Sequence, residues 1–322
     1  MRKTITIWAA ILLAMSSLCA HAQEYPTRSI TLVVPFAAGG PGDTVGRLLA
    51  EAMSKPQRVI VENIGGAGGN VGAARVARAA PDGYTLLFHQ LGMAVSPSLY
   101  TKLEYDALND FEYIGLVASQ PNVIVTRANF PAKTFPEFID HLRANREKLS
   151  FSNTGKGGAS HLCAILFMSM TGIEIKSVPY RATNLALNDI LSGSVDLLCD
   201  SVATATPHIQ SGTLKAYGVT GRTRSDVLPD VPTLDEQGLT GFDMVTWTAL
   251  YSPKRTPLAI TTRLVEMLQG AVADAKFKTS LRLIGSSAMP TERARPEALA
   301  AYLREETERW RKVLEQSKAR GE

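Results

Sequence analysis

Ile30-Thr31-Leu32-Val33-Val34-Pro35-Phe36 is almost wholly apolar and ends against Gly39, Gly40 and Gly42. A β-rich run this short, stopped by glycines, reads as a strand. Beyond it Val45, Leu48, Leu49, Ala52 and Met53 recur at helical spacing, with Asp43 placed as the N-cap. The unit then repeats: Val59-Ile60-Val61, a second glycine cluster, a small-residue helix over about 71–79, and a third strand at Tyr84-Thr85-Leu86-Leu87-Phe88. Strand, glycine turn and helix in succession predict a parallel sheet with helices on both faces, an α/β fold.

The grammar restarts after Tyr113-Ile114-Gly115-Leu116-Val117. Thr134-Phe135-Pro136-Glu137 has the form of a capping box, opening a helix that buries Phe138, Ile139 and Leu142. Strands are expected at 149–153, 175–180, 195–200 and 214–219, then a proline-rich loop over 228–233 and a β-like run from Val245 to Tyr251 that carries Trp247, a hinge or core residue. Two helices close the chain. One starts from a Thr256 cap with Pro257 in its first turn; the other starts near Pro296, with Glu305–Arg309 and Glu308–Lys312 pairing on a solvated face.

Two copies of one α/β pattern without a linker imply two lobes joined by crossing strands, near 113–126 and 243–252. Lobe 1 is expected to span 23–123 and 243–322, and lobe 2 to span 124–242. A ligand cleft belongs between them, at the carboxyl ends of strands.

The opening segment is an address. Arg2 and Lys3 precede an apolar stretch over 5–14, and Ala20-His21-Ala22 offers a small-x-small cleavage site, so 1–22 reads as a signal peptide cut after Ala22. The apolar run is too short to span a bilayer, and Leu18 before Cys19 suits a lipid anchor poorly. The product is expected to be soluble and periplasmic. Of 322 residues, 34 are basic and 30 acidic, a net +4 too small and scattered for a nucleic-acid footprint. Cys163 and Cys199 remain after cleavage, either as a disulfide or as two small buried hydrophobes.

No nucleophile elbow, zinc-protease pair or phosphate-binding loop is present. His89, His141, His161 and His208 lack metal-type spacing, and adjacent Ser160 and His161 point about 100° apart on a helix. No catalytic residue, metal or cofactor is therefore expected. His161 suits a structural hydrogen bond at its helix start, and Lys156 and Arg181 are expected to be exposed. What the chain does carry is turns rich in backbone amides, over 35–43, 65–72 and 152–160, each leading into a helix. Glycines there let N–H groups and helix N-termini converge on one point, an arrangement suited to an anion such as a carboxylate.

PFAAGGPGD, VENIGGAGGNVGAARVARAAPDGYTLL, SNTGKGGASHL, VPYRATNLALNDILSGSVDLLCD and DVPTLDEQGL, in that order, resemble the Bug family, the extracytoplasmic solute-binding proteins of tripartite tricarboxylate transporters. The resemblance spans the chain beyond the leader. It implies a type II periplasmic-binding-protein fold that closes like a Venus flytrap. It also implies small organic acid ligands, mono- or dicarboxylate and including amino acids or aromatic acids, and a membrane permease of one large and one small subunit as partner. By resemblance, Phe36, Ala37, Ala38, Gly39 and Gly40 of one loop and Asn153, Thr154, Gly155 and Gly158 of the other grip a carboxylate, with Thr183 and Asp200 lining the cleft. Asn153-Thr154-Gly155-Lys156-Gly157-Gly158 departs from a more usual S-S-G-x-G-S, and Arg181-Ala182-Thr183 from lysine-glycine-serine.

The reading is a monomeric binding protein without a catalytic step. The alternatives are a periplasmic ligand sensor and, with less support, an enzyme working in the same cleft.

Overall fold

The computed structural model describes residues 25–317; the expected signal segment at 1–22 lies outside them. The chain runs β1 (Ile30–Val34), α1 (Pro41–Met53), β2 (Val59–Asn63), a 3-10 turn (Ala67–Gly69), α2 (Asn70–Ala77), β3 (Thr85–Gln90) and α3 (Gly92–Leu99). Next come β4 (Phe111–Arg127), α4 (Phe135–Asn145), β5 (Ser150–Asn153), α5 (Ala159–Thr171), β6 (Lys176–Pro179), α6 (Thr183–Ser192), β7 (Leu197–Ser201), α7 (Val202–Gln210) and β8 (Leu214–Val219). The return is made by β9 (Val245–Pro253), α8 (Leu258–Ala273), α9 (Ala275–Leu283), β10 (Ser287–Ala288) and α10 (Pro296–Gln316).

Strand order is β2-β1-β3-β9-β4-β7-β5-β6, with β8 and β10 also on β4. β1, β2 and β3 are mutually parallel, as are β5, β6 and β7. Both faces of β1 are covered. Ile30, Leu32 and Val34 pack into one apolar cluster, and Val33 into another on the opposite side. That two-sided burial explains the unbroken apolar run in the sequence.

β4 joins the halves. Its 17 residues pair with β9 from Phe111 to Pro121, then with β7 from Asn122 to Thr126. Proline has no N–H to give a ladder, and Pro121 stands where the partner changes. Asn122 is fixed at the crossing: its N–H donates to Thr220 Oγ1 at 2.8 Å and its Nδ2 to Thr246 Oγ1 at 3.1 Å. Gly115 lies so close to the Ala294–Arg295 backbone that a Cβ there would come within 2.5 Å of it.

The capping box forms at Thr134 and Glu137. Other termini differ from the sequence pattern. Gly40, not Asp43, is the N-cap of α1; Asp43 sits one turn in and accepts the Gly39 N–H at 2.8 Å. Pro257 is the N-cap of α8, while the Thr256 hydroxyl turns back to the Pro253 carbonyl. Arg309 pairs with Glu306 at 3.0 Å rather than with Glu305, whereas Lys312 and Glu308 do meet, at 3.5 Å. Cys163 of α5 and Cys199 of β7 form a disulfide with Cα atoms 6.2 Å apart. Among the described residues no helix is long and apolar enough to cross a membrane.

Trp247 is fully buried, and its indole N–H donates to Glu306 Oε2 at 3.2 Å; Trp310 donates to the same oxygen at 3.3 Å. Glu306 thereby ties the crossing strand β9 to α10. Glu306→Ala leaves two buried indole donors and Arg309 without their acceptor, and is expected to lower unfolding free energy by about 2–4 kcal/mol in urea. An unchanged midpoint would contradict this role.

Candidate functional site

The first turn is held from behind. Asn63, at the end of β2, donates from Nδ2 to the Phe36 carbonyl at 3.1 Å and to Asp43 Oδ1 at 2.8 Å. Arg47 completes the brace, giving Nε to Asp43 Oδ2 at 2.9 Å and Nη2 to Asn63 Oδ1 at 3.0 Å. Burial alone would raise the Asp43 carboxyl, but donors from Arg47, Gly39 and Asn63 outweigh it and hold the group below the usual carboxylate range. The turn is thus fixed before any ligand arrives.

Glycine is a steric necessity in the second turn. Gly68 and Gly69 have φ of +66° and +103°. A Cβ on Gly69 would lie 2.6 Å from His89 Nε2, and one on Gly68 would lie 2.6 Å from the Lys156 carbonyl. Burial drives the His89 imidazole down to about 4, so it stays neutral.

In the third turn the Thr154 N–H donates to Ser160 Oγ at 2.8 Å, Gly155 to Asn153 Oδ1 at 2.9 Å, Gly157 to His161 Nδ1 at 3.3 Å and Gly158 to the Gly155 carbonyl at 3.0 Å. Most of its amides are therefore consumed internally, so fewer are free than the expectation of an amide-rich turn implied. Gly39 and Gly40 are likewise occupied, by Asp43 and by the Ala37 carbonyl. Among the described residues the N–H groups of Ala37, Ala38 and Lys156 have no acceptor. The first-turn amides of α5 have no intrahelical partner.

These turns wall one cavity of about 710 Å³. Gln120, Asn122 and Thr246 of the crossing strands and Ser201 and Thr204 of the second sheet also line it. At the mouth the halves touch: the Tyr100 hydroxyl donates to the Lys156 carbonyl at 2.6 Å, and the Lys156 ammonium lies 5.7 Å from the Tyr100 ring centre. On the second sheet, Asp200 is buried. Burial pushes its carboxyl up to about 6, opposed by the Thr204 hydroxyl and the Ser201 N–H.

Phe36, Ala37, Ala38, Gly39, Gly40, Thr154, Gly155, Gly158, Thr183 and Asp200 all line this cavity. Asn153 does not. It is buried behind the wall, where Oδ1 holds Gly155 and Nδ2 donates to Ser177 Oγ at 2.7 Å. Lys156 is half-buried rather than exposed, and Arg181, although exposed, stands on the cavity wall. Phe36 is half-buried and packs edge-on against His89. The second turn, expected from its glycines, also walls the cavity, through Gly65 to Gly69, whereas Gln90, Tyr100 and the polar residues of the crossing strands had no place in the expected site. The alternation of Gln120 and Asn122 on one strand face was the signal available for the last of these.

Among the described residues no group of three or more His, Cys, Asp or Glu could hold a metal ion. The arrangement offers amides, hydroxyls and two cations to a small molecule enclosed between two sheets. It is the architecture of a type II periplasmic solute-binding protein.

Residues 45–318 match the model of the tripartite tricarboxylate transporter family receptor, TctC, and the chain belongs to that family. The periplasmic binding protein BugD superposes with a TM-score of 0.87 at 41% identity, covering 92% of this chain and all of that one. MatC from Rhodopseudomonas palustris, with bound malate, gives 0.84 at 36% identity over 90% of this chain and 100% of its own. Rpa4515 from R. palustris, with adipate, gives 0.86 at 29% identity over 93% and 100%.

Asp200 gives the fold a pH signature. Its carboxyl ionises near pH 4 in the unfolded chain but near 6 in the fold. The fold is therefore penalised progressively as pH rises between those values, and fully above them. Asp200→Asn should accordingly gain melting temperature relative to the parent at pH 7.5 and less, or none, at pH 4.5. An equal difference at both pH values would remove Asp200 as the cause.

Proposed function

We propose that this protein is exported to the periplasm behind a cleaved 1–22 leader and binds a small organic carboxylate between two lobes, 23–123 with 243–322 and 124–242. It presents that ligand, as a monomer and without chemical change, to a permease of one large and one small subunit. The observation that carries the reading is the approach of turns from both sheets around one cavity, with the Ala37, Ala38 and Lys156 amides and the α5 N-terminus left to an acceptor. An anion suits such a site because the helix dipole and oriented N–H groups favour negative charge without a buried counter-ion.

Arg181 and Lys156 supply the remaining positive charge on the wall. A ligand with a second carboxylate satisfies both ends, one on the main-chain donors and one toward these cations. Dicarboxylates of the malate-to-adipate range are the class favoured, in keeping with the molecules bound in MatC and Rpa4515. At about 710 Å³ the cavity lies inside the usual range for small-molecule sites.

A thermal-shift panel of four- to six-carbon dicarboxylates, amino acids and aromatic acids tests this directly. A ligand at about 100 times its Kd adds about 2.7 kcal/mol, a shift of several degrees. Gly40→Val places a branched side chain where a Cβ already lies 3.3 Å from the Ala37 carbonyl. It should abolish that shift while leaving the unliganded melt close to the parent's. Silence across the whole panel, or full binding by Gly40→Val, would contradict the proposed site.

A further inference from the structure

The crossing strands present alternate residues to opposite faces. Gln120, Asn122 and Thr246 face the cavity described above, while Ser119, Pro121 and Val245 face a second one of about 370 Å³. This rear cavity is also built from both halves. Residues 221–226, after β8, form one wall, and Arg282 at the end of α9 with Gly285, Ser286 and Ser287 forms the other. The halves touch at its edge, where Gly285 packs so closely that a Cβ would meet Val202 at 2.5 Å and Val227 at 2.8 Å.

The chemistry of these walls is basic and hydroxylic. Arg222 reaches Asp243 only through Nε, at 2.7 Å, which leaves its terminal nitrogens without an acceptor among the described residues, and Arg224 is engaged by Glu236 at 3.0 Å. The Arg282 guanidinium has no ion-pair or hydrogen-bond partner among the described residues. Ser225 is buried, and its hydroxyl also lacks a partner. A buried hydroxyl left unsatisfied, on the wall of a cavity that an unpaired guanidinium also lines, carries a desolvation cost that an incoming acceptor relieves. Asp226 and Asp243 are the opposing charges lining the cavity, the latter already paired with Arg222.

We propose that this rear cavity is a second binding site, for a small oxyanion, and that its occupancy favours closure of the front cavity. The two cavities lie on opposite faces of the strands about which the halves would rotate. Parting the mouth at Tyr100 and Lys156 draws the rear walls together and narrows the space between Arg222 and Arg282. An anion lodged there acts as a wedge against opening, and by linkage a front ligand tightens the rear site equally.

Inorganic phosphate is the probe. Titrated to about 20 mM at constant ionic strength, it should raise the melting temperature by about 2 °C or more and broaden the phosphorus resonance. Arg282→Gln alters an exposed side chain without partners, so it should fold normally and lose both responses. Asp226→Asn should tighten phosphate several-fold, and Gly40→Val should respond as the parent does. A response kept by Arg282→Gln and lost by Gly40→Val would put the anion in the front cavity and overturn the proposal, as would no response in the parent. The coupling rests on the carboxylate reading. With a ligand from the panel bound, phosphate should raise its affinity several-fold in the parent and not in Arg282→Gln; unchanged or lowered affinity in the parent would overturn the coupling alone.

Discussion

One strand serving two sheets is the constraint from which the molecule's shape follows. β4 pairs with β9 up to Pro121 and with β7 and β8 beyond it, so neither half can be assembled without fixing where the other begins. The hand-over is narrow and polar: Asn122, Thr220, Met244 and Thr246 are hydrogen-bonded together there. Because strand side chains alternate, the same residues that join the halves also furnish the back of the ligand cavity. The bond from Trp247 to Glu306 then ties the return strand to α10.

Around that crossing the proposed site relies mainly on backbone donors. A turn braced by Asp43, Asn63 and Arg47 and a turn braced by Asn153, Ser160 and His161 hold their amides in place by using some of them structurally. The donors that remain are few and directional. Rigid donors lose little freedom on binding, so under the proposed function such turns would contribute affinity through pre-organisation. In the proposed function, the charges at Lys156 and Arg181 on the cavity wall would meet the far end of the ligand.

Much of this was legible in the residues. The alternation of apolar runs, glycine turns and amphipathic stretches gave two α/β halves, because buried parallel strands and packed helices each impose a period on the sequence. Glycine before a helix is a common packing device, so it was the recurrence of three such turns at strand ends, not any one of them, that pointed to the cavity they wall. What stayed hidden depended on tertiary proximity. Asn153 looked like a ligand contact but is turned inward by the Gly155 amide and Ser177. Lys156 looked solvent-exposed, yet Tyr100, 56 positions earlier, draws its backbone to the mouth. Arg309 chose Glu306 over Glu305 because burial beside two tryptophans requires that carboxylate to be paired. Cys163 and Cys199 could only be joined once α5 was seen lying on β7.

The central claim is that negative oxygen is held by peptide nitrogen from both halves at once. A crystal structure with a dicarboxylate bound tests it most directly. One carboxylate should lie within about 3 Å of the Ala37 or Ala38 nitrogen on one side and of the Lys156 or α5 first-turn nitrogens on the other, directly or through one water. A carboxylate held instead by the Arg181 and Lys156 side chains alone, with the turns unengaged, would contradict it.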